Sequence, residues 1–400
     1  MNMFLSYPNK KSISKILQIP KTELSLIEGK AEFENKLIFG DNLGILQALI
    51  QDFKLKGKID LIYIDPPFAT NNKFYISEQG RANTISSSTE NNIAYTDELI
   101  GFEFLEFMRE RLILLRELLS EQGSIYVHTD YKIGHYLKII MDEIFGIQNF
   151  RNDITRIKCN PKNFARRGYG NIKDLILFYS KTSEPIWNEI KVAFNEEEEE
   201  RLFSKVDQNG RKYTTVPIHA PGETKNGKTG QEWRGIKPPE GRHWRCEPDK
   251  LEELDNQGLL EWSKNGIPRR KIFADEKEGK KLQDIWEFKD PQYPVYPTEK
   301  NAELLQTIIK TSSNENSIIL DCFCGSGTTI REAQKLSRSW IGTDKSEQAI
   351  KVCRNKIEMA NRQMDLFYEP LKYSFYADSQ LFVITHNESF ASQVNTIINV

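Results

Sequence analysis

A strand, a glycine-rich turn, a helix and a second strand follow one another between residues 317 and 344. The first strand ends at Asp321 and the second ends at Asp344, and only short connections separate them from the helix. Such alternation of strands and helices indicates a parallel sheet with helices on both faces. Residues 36–145 show the same alternation, so we assign both stretches to one sheet. The predicted fold class is therefore a doubly wound α/β domain.

The alternation is interrupted between residues 151 and 290, which divides the chain into segments. In this interval the strands are short, glycine and proline are frequent, and five of the six tryptophans occur. These features predict a separate unit inserted into the α/β domain. The predicted segments are an N-terminal arm (1–35), the first half of the α/β domain (36–150), the insert (151–290), the second half (291–365) and a C-terminal extension (366–400).

The turn that follows Asp321 has the features of a ligand-binding loop. Gly325 and Gly327 allow the backbone to turn tightly and to approach a ligand closely, and the next helix has free N–H groups for a carboxylate. Asp344, at the end of the next strand, can accept hydrogen bonds from a pair of ribose hydroxyls. The glycine spacing fits neither a phosphate-binding loop nor a dinucleotide fingerprint. A cofactor with an amino acid end and a ribose, namely S-adenosylmethionine, fits both features.

The tetrapeptide Asp65-Pro66-Pro67-Phe68 follows another apolar strand. Two prolines cannot continue the ladder of a sheet, so they form a rigid loop that fixes the directions of the Asp65 carboxylate and the Pro66 carbonyl. Two neighbouring acceptors suit an amino group, which has two hydrogens to donate. Phe68 provides a flat face for a base, and such stacking contributes about 1–3 kcal/mol. The tetrapeptide therefore predicts a site that holds the amino group of a base and makes it nucleophilic.

Together these motifs resemble those of the DNA amino-methyltransferases. The similarity is to the permuted class, in which a DPPF motif precedes a DxFxGxGTT motif, and it covers about residues 36–365. It implies a circularly permuted methyltransferase domain with an inserted target-recognition domain. The implied reaction is methyl transfer from S-adenosyl-L-methionine to the N6 amino group of adenine at a specific DNA site, as in restriction–modification systems.

The resemblance also implies roles for individual residues. It makes Asp65, Pro66, Pro67 and Phe68 catalytic. The residues implied for the cofactor are Asp41, Asn42, Thr298, Lys300, Asp321, Phe323, Gly325, Gly327, Thr328 and Asp344. The sequence departs from the family pattern at Asn301, where these enzymes usually have proline.

Basic residues in the insert are candidates for contact with DNA. An enzyme that acts on a base must extrude it from the duplex, so it needs contacts with the DNA backbone. The formal net charge is −2, but residues 154–173 contain six Lys or Arg and no Asp or Glu. Residues 211–245 mix further basic residues with Gly, Trp and His. The predicted DNA-binding residues are Arg156, Lys158, Lys162, Arg166, Arg167, Lys173, Arg234 and Arg242.

Two other functions stay open from the sequence. Methylation of the N4 amino group of cytosine uses the same machinery, although cytosine-specific members of the family more often have Ser in the place of Asp65. A non-catalytic DNA-binding subunit of a modification complex would keep the fold without the chemistry. Methylation of cytosine C5 is disfavoured, because it needs a nucleophilic Cys after Pro and the sequence has no Pro-Cys pair.

The remaining predictions concern partners and location. Double-stranded DNA is the predicted partner, and the resemblance allows a cognate restriction endonuclease and a homodimer. Five scattered cysteines without a CxxC pair predict neither a disulfide framework nor a zinc site, and no other metal site is predicted. No apolar run approaches the roughly 18 residues of a membrane span, so we expect a cytoplasmic protein without a membrane anchor.

Overall fold

The computed structural model of the chain describes residues 4–67, 73–76, 82–83, 92–96, 101–161, 167–264, 266–292, 299–364 and 372–381. The chain forms two compact units. The larger unit consists of the chain up to Glu189 and from Gln283 onward, and the smaller one runs from Ile190 to Leu282. No helix within the described ranges is both long enough and apolar enough to cross a membrane.

A ten-stranded mixed sheet is the centre of the larger unit. In chain order its strands are β1 Leu24–Glu28, β2 Lys36–Phe39, β3 Ile59–Ile64, β4 Leu119–Thr129, β5 Phe150–Ile157, β6 Lys173–Ser180, β7 Ile285–Trp286, β8 Ile318–Asp321, β9 Ser339–Asp344 and β10 Ser374–Asp378. Their order across the sheet is β1-β10-β2-β9-β8-β3-β4-β6-β5-β7. The strands from β10 to β4 are parallel, whereas β6 runs antiparallel to β4 and β5, and β1 runs antiparallel to β10.

The helices of the larger unit form two layers. Those in the described part of the chain are α1 Ile13–Leu17, α2 Asn42–Gln51, α3 Gly101–Leu118, α4 Gly134–Phe145, α5 Ala302–Ser312, α6 Thr328–Lys335 and α7 Glu347–Met364. Helices α1, α2 and α4 pack against α3, and helices α5 and α7 pack against α6. The predicted doubly wound α/β fold is therefore confirmed, with the parallel strands at the centre of the sheet.

Burial explains why these segments adopt this fold. The last four residues of β3, Leu61 to Ile64, are all buried, as expected of a parallel strand that is covered on both faces. Helix α3 buries a stripe of apolar residues at helical spacing, which comprises Phe104, Met108, Leu112 and Leu115. Each fully buried side chain of this size contributes about 1.5–3 kcal/mol to the free energy of unfolding.

The inserted unit is shorter than the predicted insert of residues 151–290. Strands β6 and β7, and all but the first residue of β5, lie within that range but belong to the large sheet, where β6 pairs with β4. The reason is the apolar run in β6, whose residues Leu177 to Tyr179 are buried in the core. The predicted arm and C-terminal extension also contribute to the large sheet, because they supply the edge strand β1 and its neighbour β10, which pair with each other.

The smaller unit has its own sheet and its own core. Its four-stranded antiparallel sheet comprises, in spatial order, Lys205–Val206, Lys212–Pro217, Pro268–Phe273 and Leu260–Trp262. Two further antiparallel pairs join Lys191–Val192 to Lys280–Lys281 and His219–Pro221 to Arg242–Trp244. Its helices are Glu196–Leu202 and Pro248–Asn256. The core contains Ile218, Trp233, Trp244, Leu251, Leu254 and Leu260.

Three short strands lie between β3 and α3 in the chain. They are Lys73–Ile76, Ala82–Asn83 and Asn92–Thr96, and they form a small antiparallel sheet with the first strand in the middle.

Candidate active site

Four carboxylates lie at the carboxyl ends of central strands of the large sheet. Asp41 follows β2, Asp344 ends β9, Asp321 ends β8 and Asp65 follows β3, and these four strands are neighbours in the parallel region. We call these four residues the acidic edge. Ligands of open α/β sheets bind at the carboxyl ends of the strands. The fold therefore brings the predicted catalytic carboxylate next to the predicted cofactor carboxylates.

The glycine-rich turn after β8 has a backbone that requires glycine. Gly325 has a φ angle of +48° and Gly327 has a φ angle of +76°, both in the left-handed region. A Cβ atom on Gly327 would overlap with the Sγ atom of Cys353 in α7. Gly327 is also the N-cap residue of α6. The turn thus brings the N-terminus of a helix to the acidic edge, where its N–H groups suit an anionic end of a ligand.

Asp344 holds this turn in place. Its Oδ2 atom accepts a hydrogen bond from the backbone N–H of Gly325 at 2.9 Å, and its Oδ1 atom accepts one from Ser346 at 2.8 Å. Burial raises the pKa of Asp344 above its ordinary value. An ionised carboxylate has about four lone-pair sites, so this side chain can also accept hydrogen bonds from ribose hydroxyls.

Asp321 is buried beneath the turn. Its Oδ1 atom accepts a hydrogen bond from the backbone N–H of Phe323 at 3.0 Å. Burial raises the pKa of Asp321 to about 7, although hydrogen bonds from Thr329 and Phe323 act in the opposite direction. The negative charges of Asp65 and Asp344 contribute to the same increase. A cation bound at this edge would therefore favour the ionised form of Asp321.

The other predicted cofactor residues in the turn pack around it. Phe323 is half-buried, with its ring centroid 6.1 Å from that of Phe107 in α3. Thr328 is buried, and its hydroxyl lies 3.3 Å from the hydroxyl of Ser326. The Nζ atom of Lys356 donates to that Ser326 hydroxyl at 3.0 Å. Thr298, which the resemblance also implies for the cofactor, lies outside the described residues.

Arg111 supports the residues that follow β2, a role that the sequence reasoning missed. Asp41 caps α2 by accepting the N–H of Leu43 at 2.9 Å, and 55% of its side chain is exposed. Asn42 is buried and donates to the carbonyl of Cys322 at 2.6 Å. The buried guanidinium of Arg111 donates to Asn42 Oδ1 at 2.6 Å and lies 3.3 Å from Asp41. The position of Arg111 on the apolar stripe of α3 could have indicated that this side chain is buried.

Asp65 has two carboxylate oxygens in different environments. The Oδ2 atom lies 2.8 Å from Lys300 Nζ, and both side chains are largely buried. The Oδ1 atom is buried and has no hydrogen-bond partner among the described residues. Pro66 is buried and Pro67 is half-buried, whereas Phe68 lies outside the described residues. Lys300, predicted for the cofactor, therefore contacts the predicted catalytic carboxylate.

A buried polar chain lies beside this ion pair and was also missed. Nε2 of His128 lies 3.2 Å from Asp174 Oδ2, and the hydroxyl of Tyr63 lies 2.8 Å from Nδ1. Because a carboxylate only accepts, Nε2 carries the proton and Nδ1 accepts from Tyr63. Burial, followed by the charge of Lys300, lowers the pKa of His128, so its imidazole is neutral. No local pattern indicates these contacts, because His128 and Asp174 are 46 residues apart.

The predicted DNA-binding residues of the larger unit have different environments. The prediction for Arg156 is not supported, because its side chain is fully buried and binds the carbonyl of Phe288 and the carboxylate of Asp290. Lys158 pairs with Asp174 at 2.7 Å. The remaining residues of this group are Arg167 and Lys173, which are exposed, and Lys162 and Arg166, which lie outside the described residues.

Among the residues of the smaller unit that the structure describes, Arg234 is paired with carboxylates, whereas Arg242 is not. The guanidinium of Arg234 pairs with Glu252 and Asp255, so its charge is already balanced. Arg242 is exposed, and its guanidinium lies 3.2 Å from His219 Nδ1. Within the described part of the chain, Arg242 has no carboxylate partner.

Two further arginines lie beside the same histidine. Arg245 is exposed and donates to the carbonyl of Pro217 at 3.2 Å, and the half-buried Arg269 donates to the carbonyl of Thr215 at 2.8 Å. Burial lowers the pKa of His219, and the charges of Arg242, Arg245 and Arg269 lower it further. We call these three residues the arginine cluster. Glu261, opposite Arg269 on the adjacent strand, is engaged by Lys205 and Tyr213.

Comparison with known proteins gives a consistent result. The profile of the DNA methylase family matches residues 59–355. The type II methyltransferase M.EcaI of Enterobacter cloacae is 39% identical over 372 residues, which is 90% of this chain and 78% of that protein. The Mod subunit of the type III restriction-modification enzyme StyLTI of Salmonella typhimurium is 27% identical, and the alignment covers 82% of this chain but only 54% of that subunit.

Among solved structures, the complex of M1.HpyAVI with SAM is similar with a TM-score of 0.43 and 16% identity, over 80% of this chain and 98% of the other. The family match covers both the Asp65 tetrapeptide and the glycine-rich turn, and it supports S-adenosylmethionine as the cofactor. The chain therefore belongs to the DNA methylase family, and it is a DNA methyltransferase of the restriction–modification type.

Proposed function

We propose that this chain transfers a methyl group from S-adenosyl-L-methionine to the N6 amino group of adenine within a short DNA sequence. The observation that carries the proposal is the buried Oδ1 atom of Asp65, which lacks a hydrogen-bond partner among the described residues. A buried acceptor without a partner costs about 1–3 kcal/mol. The exocyclic amino group of a base would remove that cost by donating to it.

The residues around the turn fit the cofactor. The N-terminus of α6 suits the carboxylate of its amino acid end, and Asp344 suits its ribose hydroxyls. Gly327 has no space for a Cβ atom, because Cys353 of α7 packs against it and fixes the position of the turn. When bound, S-adenosylmethionine supplies an electrophilic methyl group on a positively charged sulfur. The carboxylates of Asp41 and Asp321 favour a cation at this edge, because opposite charges attract.

Asp65 and Pro66 then orient the amino group. The Oδ1 atom of Asp65 accepts one N–H and the carbonyl of Pro66 accepts the other, which turns the nitrogen lone pair out of conjugation with the ring. The nitrogen so presented would attack the methyl group that bound S-adenosylmethionine would supply, S-adenosylhomocysteine would leave with the electron pair of the broken carbon–sulfur bond, and the proton released by the nitrogen would pass to water. Phe68 is the predicted stacking partner of the base. No covalent bond to the enzyme is formed, so positioning is the main catalytic contribution.

Methylation of cytosine N4 is the second candidate. The amino group of cytosine could also donate to Asp65 Oδ1, so the geometry of this acceptor suits both bases. The carboxylate at position 65 favours adenine, because cytosine-specific members of the family more often have Ser there. A non-catalytic DNA-binding subunit is disfavoured, since Asp65 and the glycine-rich turn are both intact.

DNA contact is assigned to exposed basic residues. In the larger unit these are Arg167 and Lys173, and in the smaller unit they are Arg242 and Arg245 of the arginine cluster. Lys162 and Arg166 stay predicted DNA-binding residues. The smaller unit takes the part of the target-recognition domain, and the target base leaves the duplex to reach Asp65. The motif order assigns the chain to the permuted class. A partner restriction endonuclease, a homodimer and a cytoplasmic location stay predictions.

The test is modification-sensitive sequencing of DNA from a methylation-free host. One strain expresses the wild-type chain and a second expresses Asp65→Ala. We expect N6-methyladenine in one short motif in the first strain and none in the second. N4-methylcytosine would replace our proposal by the second candidate. DNA without a modified base in the wild-type strain would contradict both.

A further inference from the structure

Lys300 holds one oxygen of the catalytic carboxylate. Its Nζ atom lies 2.8 Å from Asp65 Oδ2, and the two side chains are only 10% and 15% exposed. Among the described residues, nothing donates to Asp65 Oδ1. One oxygen of this carboxylate is therefore bound by an ammonium group, while the other is available to an incoming donor.

A neutral histidine lies beside this ion pair. His128 is fully buried between the hydroxyl of Tyr63 and the carboxylate of Asp174, and both contacts are within hydrogen-bond distance. Burial lowers the pKa of His128, and the positive charge of Lys300 lowers it further. His128 is therefore an uncharged group that its two hydrogen bonds hold in one orientation.

We propose that Lys300 is a positioning residue for Asp65. By binding Oδ2, it prevents rotation of the carboxylate about the Cβ–Cγ bond and keeps Oδ1 directed at the amino group of the base. This inference rests on the proposed function, because it requires that Asp65 receives that amino group. It differs from the role in cofactor binding that the family resemblance implies for Lys300. Loss of a cofactor ligand weakens cofactor affinity, whereas loss of a positioning residue slows methyl transfer even when the cofactor is saturating.

The experiment compares full-length wild-type protein with Lys300→Met and Lys300→Arg. Equilibrium dialysis with labelled S-adenosylmethionine gives its dissociation constant, and single-turnover assays on DNA with the recognition sequence give the rate at saturating cofactor. We expect Lys300→Met to lower the rate by about 10- to 100-fold, as misplacement of a reacting group does. The dissociation constant should change by less than about twofold, because the acidic edge and the turn are intact. Lys300→Arg should recover part of the rate, since its guanidinium can also bind Oδ2.

The control is Lys310→Met, which removes an exposed lysine from α5 and should change neither quantity. A higher dissociation constant with an unchanged rate at saturation would assign Lys300 to the cofactor and overturn the proposal. An unchanged rate in Lys300→Met would also overturn it. If Lys300→Met does not fold, as judged by loss of its thermal transition, Lys300→Arg decides by the same comparison of rate and affinity. If the wild-type protein transfers no methyl group to DNA, the proposed function itself is wrong.

Discussion

The buried carboxylate of Asp321 makes the stability of the folded chain depend on pH. The folded chain surrounds this group with apolar atoms and with the negative charges of Asp65 and Asp344, which raises its pKa to about 7. In the unfolded chain a solvated Asp has a pKa near 3.9. The folded state therefore binds the proton of Asp321 more tightly than the unfolded state does, and its stability falls as pH rises from about 4 to about 7.

The prediction compares urea unfolding of the cofactor-free wild type with that of Asp321→Asn. The free energy of unfolding of the wild type relative to this variant should fall by about 1.4 kcal/mol per pH unit between pH 5 and pH 6.5. Asn has no carboxyl proton but keeps an oxygen that can accept the N–H of Phe323. A difference between the two proteins that stays constant across this range would show that Asp321 is already ionised at pH 5.

The roles of some residues could be predicted from sequence patterns, whereas the roles of others could not. Asp65, Asp321 and Asp344 could be predicted because each directly follows or ends an apolar strand, which places it at the carboxyl edge of the sheet. Arg156 and Arg242 could not be told apart, because both lie in basic segments. Only the long-range contacts of Arg156 with Phe288 and Asp290 reveal that it is structural. Contacts between residues more than 100 positions apart leave no local pattern in the sequence.

At the scale of elements, the junction between β8 and α6 is the most constrained part of the site. The strand, the turn and the helix meet α7 at Cys353, whose side chain occupies the space beside Gly327. The left-handed backbone at Gly327 adds a second constraint, because an L-residue there costs roughly 1–2 kcal/mol. Two independent effects therefore exclude a side chain from this position.

Gly327→Ala and Gly57→Ala form a matched pair that separates these effects. Both glycines have positive φ angles, of +76° and +71°, but a Cβ on Gly57 meets nothing within 4 Å. We expect Gly57→Ala to lower the free energy of unfolding by about 1 kcal/mol. Gly327→Ala should lower it by about 2–5 kcal/mol, because overlap with Cys353 adds to the backbone strain. Thermal or urea unfolding measures both values.

A second substitution tests why Gly327→Ala should lose more stability than Gly57→Ala. Cys353→Ala combined with Gly327→Ala should recover part of the stability, because it removes the Sγ atom that the new methyl group meets. Cofactor affinity should fall in Gly327→Ala and stay unchanged in Gly57→Ala. Equal losses of stability in the two single variants would contradict the role that we give to Cys353.

Element boundaries were predictable where periodicity was strong. The apolar spacing of residues 99–119 predicts a helix, and α3 occupies Gly101–Leu118. The assignment of β5 and β6 to the insert was wrong, since pairing of β6 with β4 is a long-range event that the local sequence does not encode. The edge strand β1 and its neighbour β10 were missed for the same reason, as they pair across more than 340 residues.

At the scale of the whole molecule, the chain combines a nearly neutral net charge of −2 with local positive charge. Acidic partners neutralise some arginines, such as Arg211 with Asp275 and Glu276. Within the described residues, the arginine cluster has no such carboxylate partners. A weak overall charge therefore does not exclude DNA binding, because balanced and unbalanced basic residues coexist in one unit.

The salt dependence of DNA binding tests this distinction. We expect the double variant Arg242→Ala/Arg245→Ala to bind a non-specific duplex more weakly, with the slope of log K against log salt reduced in magnitude by about 2. Arg211→Ala is the control and should leave the slope unchanged, because its guanidinium is already paired. Fluorescence anisotropy titrations at several salt concentrations give both slopes. Equal slopes for the double variant and the wild type would remove the cluster from the DNA-binding surface.

The central claim is that Asp65 acts on the amino group of the base and not on the cofactor. The most direct measurement determines S-adenosylmethionine binding and methyl transfer to DNA on the same preparation of Asp65→Ala. We predict that methyl transfer is abolished while the dissociation constant for the cofactor stays close to that of the wild type. Loss of cofactor binding together with methyl transfer would contradict the claim, because it would place Asp65 in the cofactor site.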